Sequence, residues 1–83
     1  MACLLLATFS ATAEANDIEG IIESVDVDGR SLTVQGITFY TDDDTEYDDG
    51  LGGFDDLAAG QRVELDFDYD GRRHIAEEIE REG

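Results

Sequence analysis

The chain has 83 residues, 22 of them acidic and 5 basic, for a formal net charge of −17; every cation is Arg, and Pro and Trp are absent. This length supports one small domain near the lower limit for a self-sufficient core, and 41% hydrophobic residues with four Phe and three Tyr argue against disorder. The charge excludes a phosphate-backbone binder, which needs a basic footprint, and an anionic membrane surface would repel it.

Residues Ala2 to Ala13 carry no charge, and the stretch closes on Ala13-Glu14-Ala15. A short apolar run followed by small-x-small predicts a secretory signal over 1–15, cut after Ala15, with 16–83 as the mature domain. The run is too short to span a bilayer as a permanent helix. No Lys or Arg precedes Cys3, so the signal is expected to be truncated at its start. Cys3 stands in front of Leu4-Leu5-Leu6 rather than behind them, which is the wrong side for lipidation. Residues 16–83 hold no Cys, so disulfide, thiol-redox and thiolate-metal chemistry leave with the leader. The expected location is periplasmic or secreted, without membrane insertion of the mature chain.

From Asn16 onward no helical period is sustained, and turn signals recur about every ten residues. Ile18 to Val27 predicts a first strand, Asp28-Gly29-Arg30 a turn, and Ser31 to Gln35 the second arm of a hairpin. Gly36 interrupts, and Ile37 to Thr41 resumes as a third strand, which Thr45-Glu46-Tyr47 is expected to continue past an acidic interruption. Asp48 to Gly53 reads as a flexible loop. Phe54 to Gly60 predicts one helical turn, with Phe54 and Leu57 plugging a barrel end and Gly60 as its stop. Arg62 to Tyr69 alternates most cleanly: Val63, Leu65, Phe67 and Tyr69 face one way, Glu64, Asp66, Asp68 and Asp70 the other. Asp70-Gly71 turns the chain into a last strand, Arg73 to Glu80. Parity slips at Ile75/Ala76 against Ile79, and at Ile22 against Val25 and Val27, predict β-bulges. The fold class is all-β: a small five- to six-stranded barrel with one short helical turn, closed or nearly closed so that few edges are exposed.

The order GIIESVDVDGRSLTVQG, DDDTEY, FDDLAAGQRVELD and DGRRHIAEEIE resembles the domain-of-unknown-function family DUF5666 across the mature chain. Gly20, Ile22, Leu32, Val34, Gly36, Thr45, Leu57, Gly60, Val63, Ala76 and Ile79 carry the resemblance, and none is chemically reactive. It implies a bacterial, extracytoplasmic barrel of the oligonucleotide/oligosaccharide-binding (OB) type and brings no catalytic residues.

Asp66-x-Asp68-x-Asp70-Gly71-x5-Glu77 fits the EF-hand loop expression. Asp66 and Asp68 belong to a strand, about 7 Å apart on one solvent face, and the usual aliphatic at the eighth position is Arg73, so the match is a by-product of alternating acids before a turn. The weak metal candidates are Asp42, Asp43, Asp44, Asp48 and Asp49, whose oxygens suit a hard cation such as Ca²⁺. Against that stands a solvated acidic loop that gathers only a diffuse ion cloud, as in secreted proteins kept soluble by surface acid. His74 has no nucleophile or paired acid at a recognisable spacing. Arg72 and Arg73 are expected to pair with neighbouring carboxylates, and Tyr40, Tyr47 and Tyr69 to be core or rim residues.

These features predict an exported, acidic, non-enzymatic binding or accessory module, with no catalytic residues and no resident cofactor. Its partner is a protein with a basic patch, a polysaccharide or a cation, and not nucleic acid. The alternative is a Ca²⁺-binding domain using the loop 42–49, aided by Asp66 or Asp68.

Overall fold

Turn chemistry divides the apolar-acidic alternation of the chain into six strands. The computed structural model describes residues 16–82, so the expected signal segment lies outside the described residues. The strands are β1 (Asp17–Asp26), β2 (Ser31–Val34), β3 (Ile37–Tyr40), β4 (Glu46–Asp48), β5 (Arg62–Tyr69) and β6 (His74–Arg81), with a 3-10 turn at Phe54–Asp56. Gln35 and Gly36 connect β2 to β3 with φ of 52° and 77°. Two successive positive φ values make the tight reversal whose twist matches its flanking strands, and Gly36 supplies one without a Cβ penalty.

Five strands close into a ring, β1–β2–β3–β6–β5–β1. Every pairing in it is antiparallel except β3–β6, where Phe39 meets His74 and Tyr40 meets Ile75 in parallel. This is the OB-like barrel expected from the sequence. The third-strand expectation needs correction. Thr45 to Tyr47 does not prolong β3; Glu46–Asp48 forms a separate strand outside the ring, parallel to β6. The reason is a turn: the Thr45 N–H donates to the Asp42 carbonyl (3.1 Å), and the Asp42 N–H donates to Thr45 Oγ1 (3.0 Å). Those bonds use the groups a continued ladder would need.

Both predicted bulges exist. In β1, Ile22 faces Val34 while Ser24 faces Thr33, leaving Glu23 extra. In β6, Glu78 faces Asp66 while Ala76 faces Phe67, leaving Glu77 extra. Each bulge bends its strand. In β1 the bend comes where the strand leaves β5 and begins pairing with β2.

The core is solid. Ile22, Leu32, Val34, Phe39, Val63, Leu65, Ala76 and Ile79 are buried inside the ring, and Leu51, Phe54 and Leu57 close one end. The helical segment is shorter than predicted, because Leu57 is already extended at φ −79°, ψ 138°. Its function as a plug stands: Phe54 and Leu57 are both buried. Gly60, at φ 95°, redirects the chain so that its N–H donates to the Ile22 carbonyl and the Ile22 N–H donates to that of Gln61, both at 2.8 Å. Along β5, Val63 and Leu65 are fully buried, Phe67 is half-buried, and Tyr69 is 56% exposed. Tyr69 departs from the inward-facing expectation despite its correct parity.

Candidate functional site

A packed interior leaves only the outer surface for a ligand. An open groove of about 510 Å³ lies over β5 and β6. Asp42, Asp44 and Glu46 form one wall, Asp66, Asp68 and Asp70 the other, and Glu77 and Glu78 stand beside the Ile75–Ala76 floor. Among the described residues no basic side chain lines it.

Strand register explains how a short chain gathers so many carboxylates. Asp17 faces Asp66, Asp66 faces Glu78 and Glu78 faces Glu46; two positions along, Glu19 faces Glu64, Glu64 faces Glu80 and Glu80 faces Asp48. Directly opposed residues share a face of the sheet. Two rows of four acids therefore cross β1, β5, β6 and β4, with strands about 4.8 Å apart. Between them, on the inner face, runs the apolar row Ile18–Leu65–Ile79–Tyr47. One alternation thus builds the core and the acidic surface together.

Crowding perturbs the acids. The Glu78 carboxyl is pushed up to about 7, chiefly by its hydrogen bond with the Asp48 carboxyl and then by the Asp48 charge, with Asp66 and Glu46 adding to it. Glu80 is raised by Asp49 in the same way, with Glu64 and Asp48 contributing. At the far end Glu82 is pushed up to about 7, first by a hydrogen bond with Glu19. Asp70 moves the other way, because its carboxylate accepts the backbone N–H groups of Arg73 and Arg72, each at 2.9 Å.

The metal candidates do not share one place. Asp42 and Asp44 line the groove, with the Asp44 N–H donating to Asp42 Oδ1 at 3.0 Å. Asp43 is exposed and outside the groove lining. Asp48 and Asp49 adjoin Glu78 and Glu80 instead. Among the described residues no three His, Cys, Asp or Glu side chains come together as a cation-holding group. Asp66 and Asp68 lie exposed on β5, with no helix flanking them as an EF-hand requires.

The cations behave differently from expectation. Among the described residues the one ion pair is Arg62 Nε to Glu82 Oε1, at 3.8 Å. Arg73 lies over the Tyr40 ring at 4.4 Å, and Arg30 over Phe54 at 4.6 Å. Arg72 and Arg73 engage Asp70 through backbone N–H groups rather than guanidinium salt bridges, because the tight hairpin brings those amides onto its carboxylate. His74 is stacked among rings, with centroids 4.9 Å from Tyr69, 5.5 Å from Phe67 and 5.7 Å from Phe39. Tyr40 and Tyr47 are half-buried, at the rim and against the core respectively.

The family model described as "Domain of unknown function (DUF5666)" matches residues 19–80, from the first strand to the last. The chain belongs to this family. The positions that carry the sequence resemblance (Gly20, Ile22, Val34, Ala76 and Ile79 among them) are scaffold of the DUF5666 barrel. At Gly20, for example, a Cβ would come within 3.0 Å of Val34 Cγ1. No curated protein matches the chain. Among solved structures it is similar to the "Crystal structure of Ag(I)CusF", with a TM-score of 0.64 over 80% of this chain and 95% of that one. At 13% identity the likeness is one of fold.

Proposed function

We propose that this DUF5666 domain is a non-catalytic binding or accessory module acting outside the cytoplasm, and that its groove receives a basic polypeptide segment. The observation that carries this reading is a 510 Å³ groove whose charged lining is entirely carboxylate. Such a surface attracts cations from a distance and suits ammonium and guanidinium groups on contact. Placement outside the cytoplasm draws on the signal expected over residues 1–15.

The likeness to silver-bound CusF does not favour silver for this chain. Silver(I) is a soft cation that prefers thiolate and thioether sulfur, and residues 16–82 contain neither Cys nor Met. Calcium is the second reading, resting on the hard oxygen donors of Asp42 and Asp44, the loop 42–49 acids that line the groove.

Calorimetry with an oligo-lysine peptide at 50, 150 and 500 mM NaCl tests the first reading. Saturable binding weakened by Asp66→Asn/Asp68→Asn but not by Asp28→Asn/Asp55→Asn supports a groove site. Equal loss from both pairs refutes it in favour of diffuse attraction. Melting curves in Ca²⁺ or Mg²⁺ with high NaCl address the second reading: a saturable rise abolished by Asp42→Asn/Asp44→Asn supports calcium by linkage. A rise that NaCl alone reproduces is screening and refutes it.

A further inference from the structure

One strand, β4, does not belong to the ring. Among the described residues its only strand neighbour is β6, met by the three pairs Glu46–Glu78, Tyr47–Ile79 and Asp48–Glu80. Two of those three pairs oppose acid to acid. The segment is pinned at each end: Thr45 is buried and its hydroxyl donates to the Ala76 carbonyl at 2.7 Å, and Leu51 is buried in the core. In the middle, the Tyr47 ring packs on the core, but its hydroxyl is buried without a hydrogen-bond partner among the described residues. The pairing and the ring hold the strand down, while the opposed charges and the unsatisfied hydroxyl push it away.

We infer that β4 is a charge-gated strap, docked on β6 when its carboxylates are screened or neutralised and lifted between its Thr45 and Leu51 anchors when they are not. The groups that decide its state come from every strand around it: Glu46, Asp48 and Asp49 on the strap and its exit, Glu78 and Glu80 beneath with the Arg81 guanidinium of β6 beside Gly50 just past the strap, and Asp66 and Glu64 on the next strand. Because Glu46 is both a strap residue and part of the groove wall, lifting the strap takes Glu46 out of that wall, while Asp42 and Asp44, ahead of the Thr45 anchor, stay in place. The strap is a property of the free domain and stands or falls independently of what the groove binds.

Native-state amide exchange on the free domain tests the inference, with residues 46–48 read against β1 and β5 in the same sample. From 10 to 500 mM NaCl the strap amides should gain roughly tenfold more protection than those of β1 and β5, as two opposed acid pairs each acting somewhat above the middle of the cross-strand range would give. Glu78→Gln/Glu80→Gln should give that protection at low salt and flatten the response. Glu46→Gln/Asp48→Asn, which removes the same oppositions from the other strand, should do likewise. Strap amides that exchange only in step with β1 and β5 at every salt concentration overturn the inference, as does an unchanged salt response in both double variants.

Discussion

Tyr47→Phe is expected to stabilise this domain, although it removes a polar group from a small and marginal fold. The ring lies in the inner apolar row beside Ile79 and packs on the core, so Phe keeps the contacts. The hydroxyl is buried and makes no hydrogen bond among the described residues. Burying such a group without a partner costs about 1–3 kcal/mol, which Phe does not incur. A domain of this size holds roughly 3–10 kcal/mol in total, and each 1 kcal/mol moves the melting temperature by about 4–8 °C. A rise of at least about 4 °C is therefore expected, together with a higher urea midpoint at unchanged m. Paired urea titrations and calorimetry of wild type and variant measure it. A variant less stable than wild type would refute the reasoning, since it means the hydroxyl has a partner that Phe lacks.

Phe54→Ala should cost about 3–5 kcal/mol, with up to about 1 kcal/mol more from losing the Arg30 stack; chemical denaturation should find it close to unfolded at 37 °C. Thr45→Val removes the donor to the Ala76 carbonyl in a buried position, and a loss of about 1–3 kcal/mol is expected in the same assay. Acid chemistry gives a signed prediction. Glu78 and Glu82 have folded values raised from 4.5 to about 7, so the folded state binds more protons and their contribution fades as pH rises through that window. Asp70 is lowered from 3.8, and its contribution is lost only as the solution is acidified below that value. The melting temperature should thus fall from pH 4.5 to 7.5 at constant ionic strength, and less so in Glu78→Gln; a rising curve refutes the carboxyl pairing.

Strand content is legible in the sequence because each strand needs only its own alternation. Val63 and Leu65 alternate with Glu64 and Asp66, and that local pattern forces one face inward. The bulges are legible for the same reason, since a parity slip at Ala76 and Ile79 has one local remedy. Tyr69 escapes because alternation fixes the direction of a side chain but not where the core ends beneath it. The fate of Glu46–Asp48 escapes because a parallel partner more than thirty residues away leaves no local trace. The candidate site is half legible. Asp42 and Asp44 stand out as clustered acids, and they do line the groove. Glu78 and Glu80 do not, because acids on one strand read as ordinary solvent-facing residues until register places other acids against them. Arg73 on Tyr40 is hidden as well, since charge counting points to salt bridges while stacking depends on which ring the turn presents.

The extra residue in β6 has a consequence for how this domain can vary by insertion and loss. Removing one of the adjacent pair Glu77 and Glu78 would leave Ala76 and Ile79 inward with a single acid between them, the strand merely straightening. Removing Ile79 instead would bring an acid to the core or open a hole in it. Length changes in this strand should therefore gather at that pair, and the same holds at Glu23 in β1. Relatives differing there by one residue would keep their chemistry while their barrels bend to a different degree.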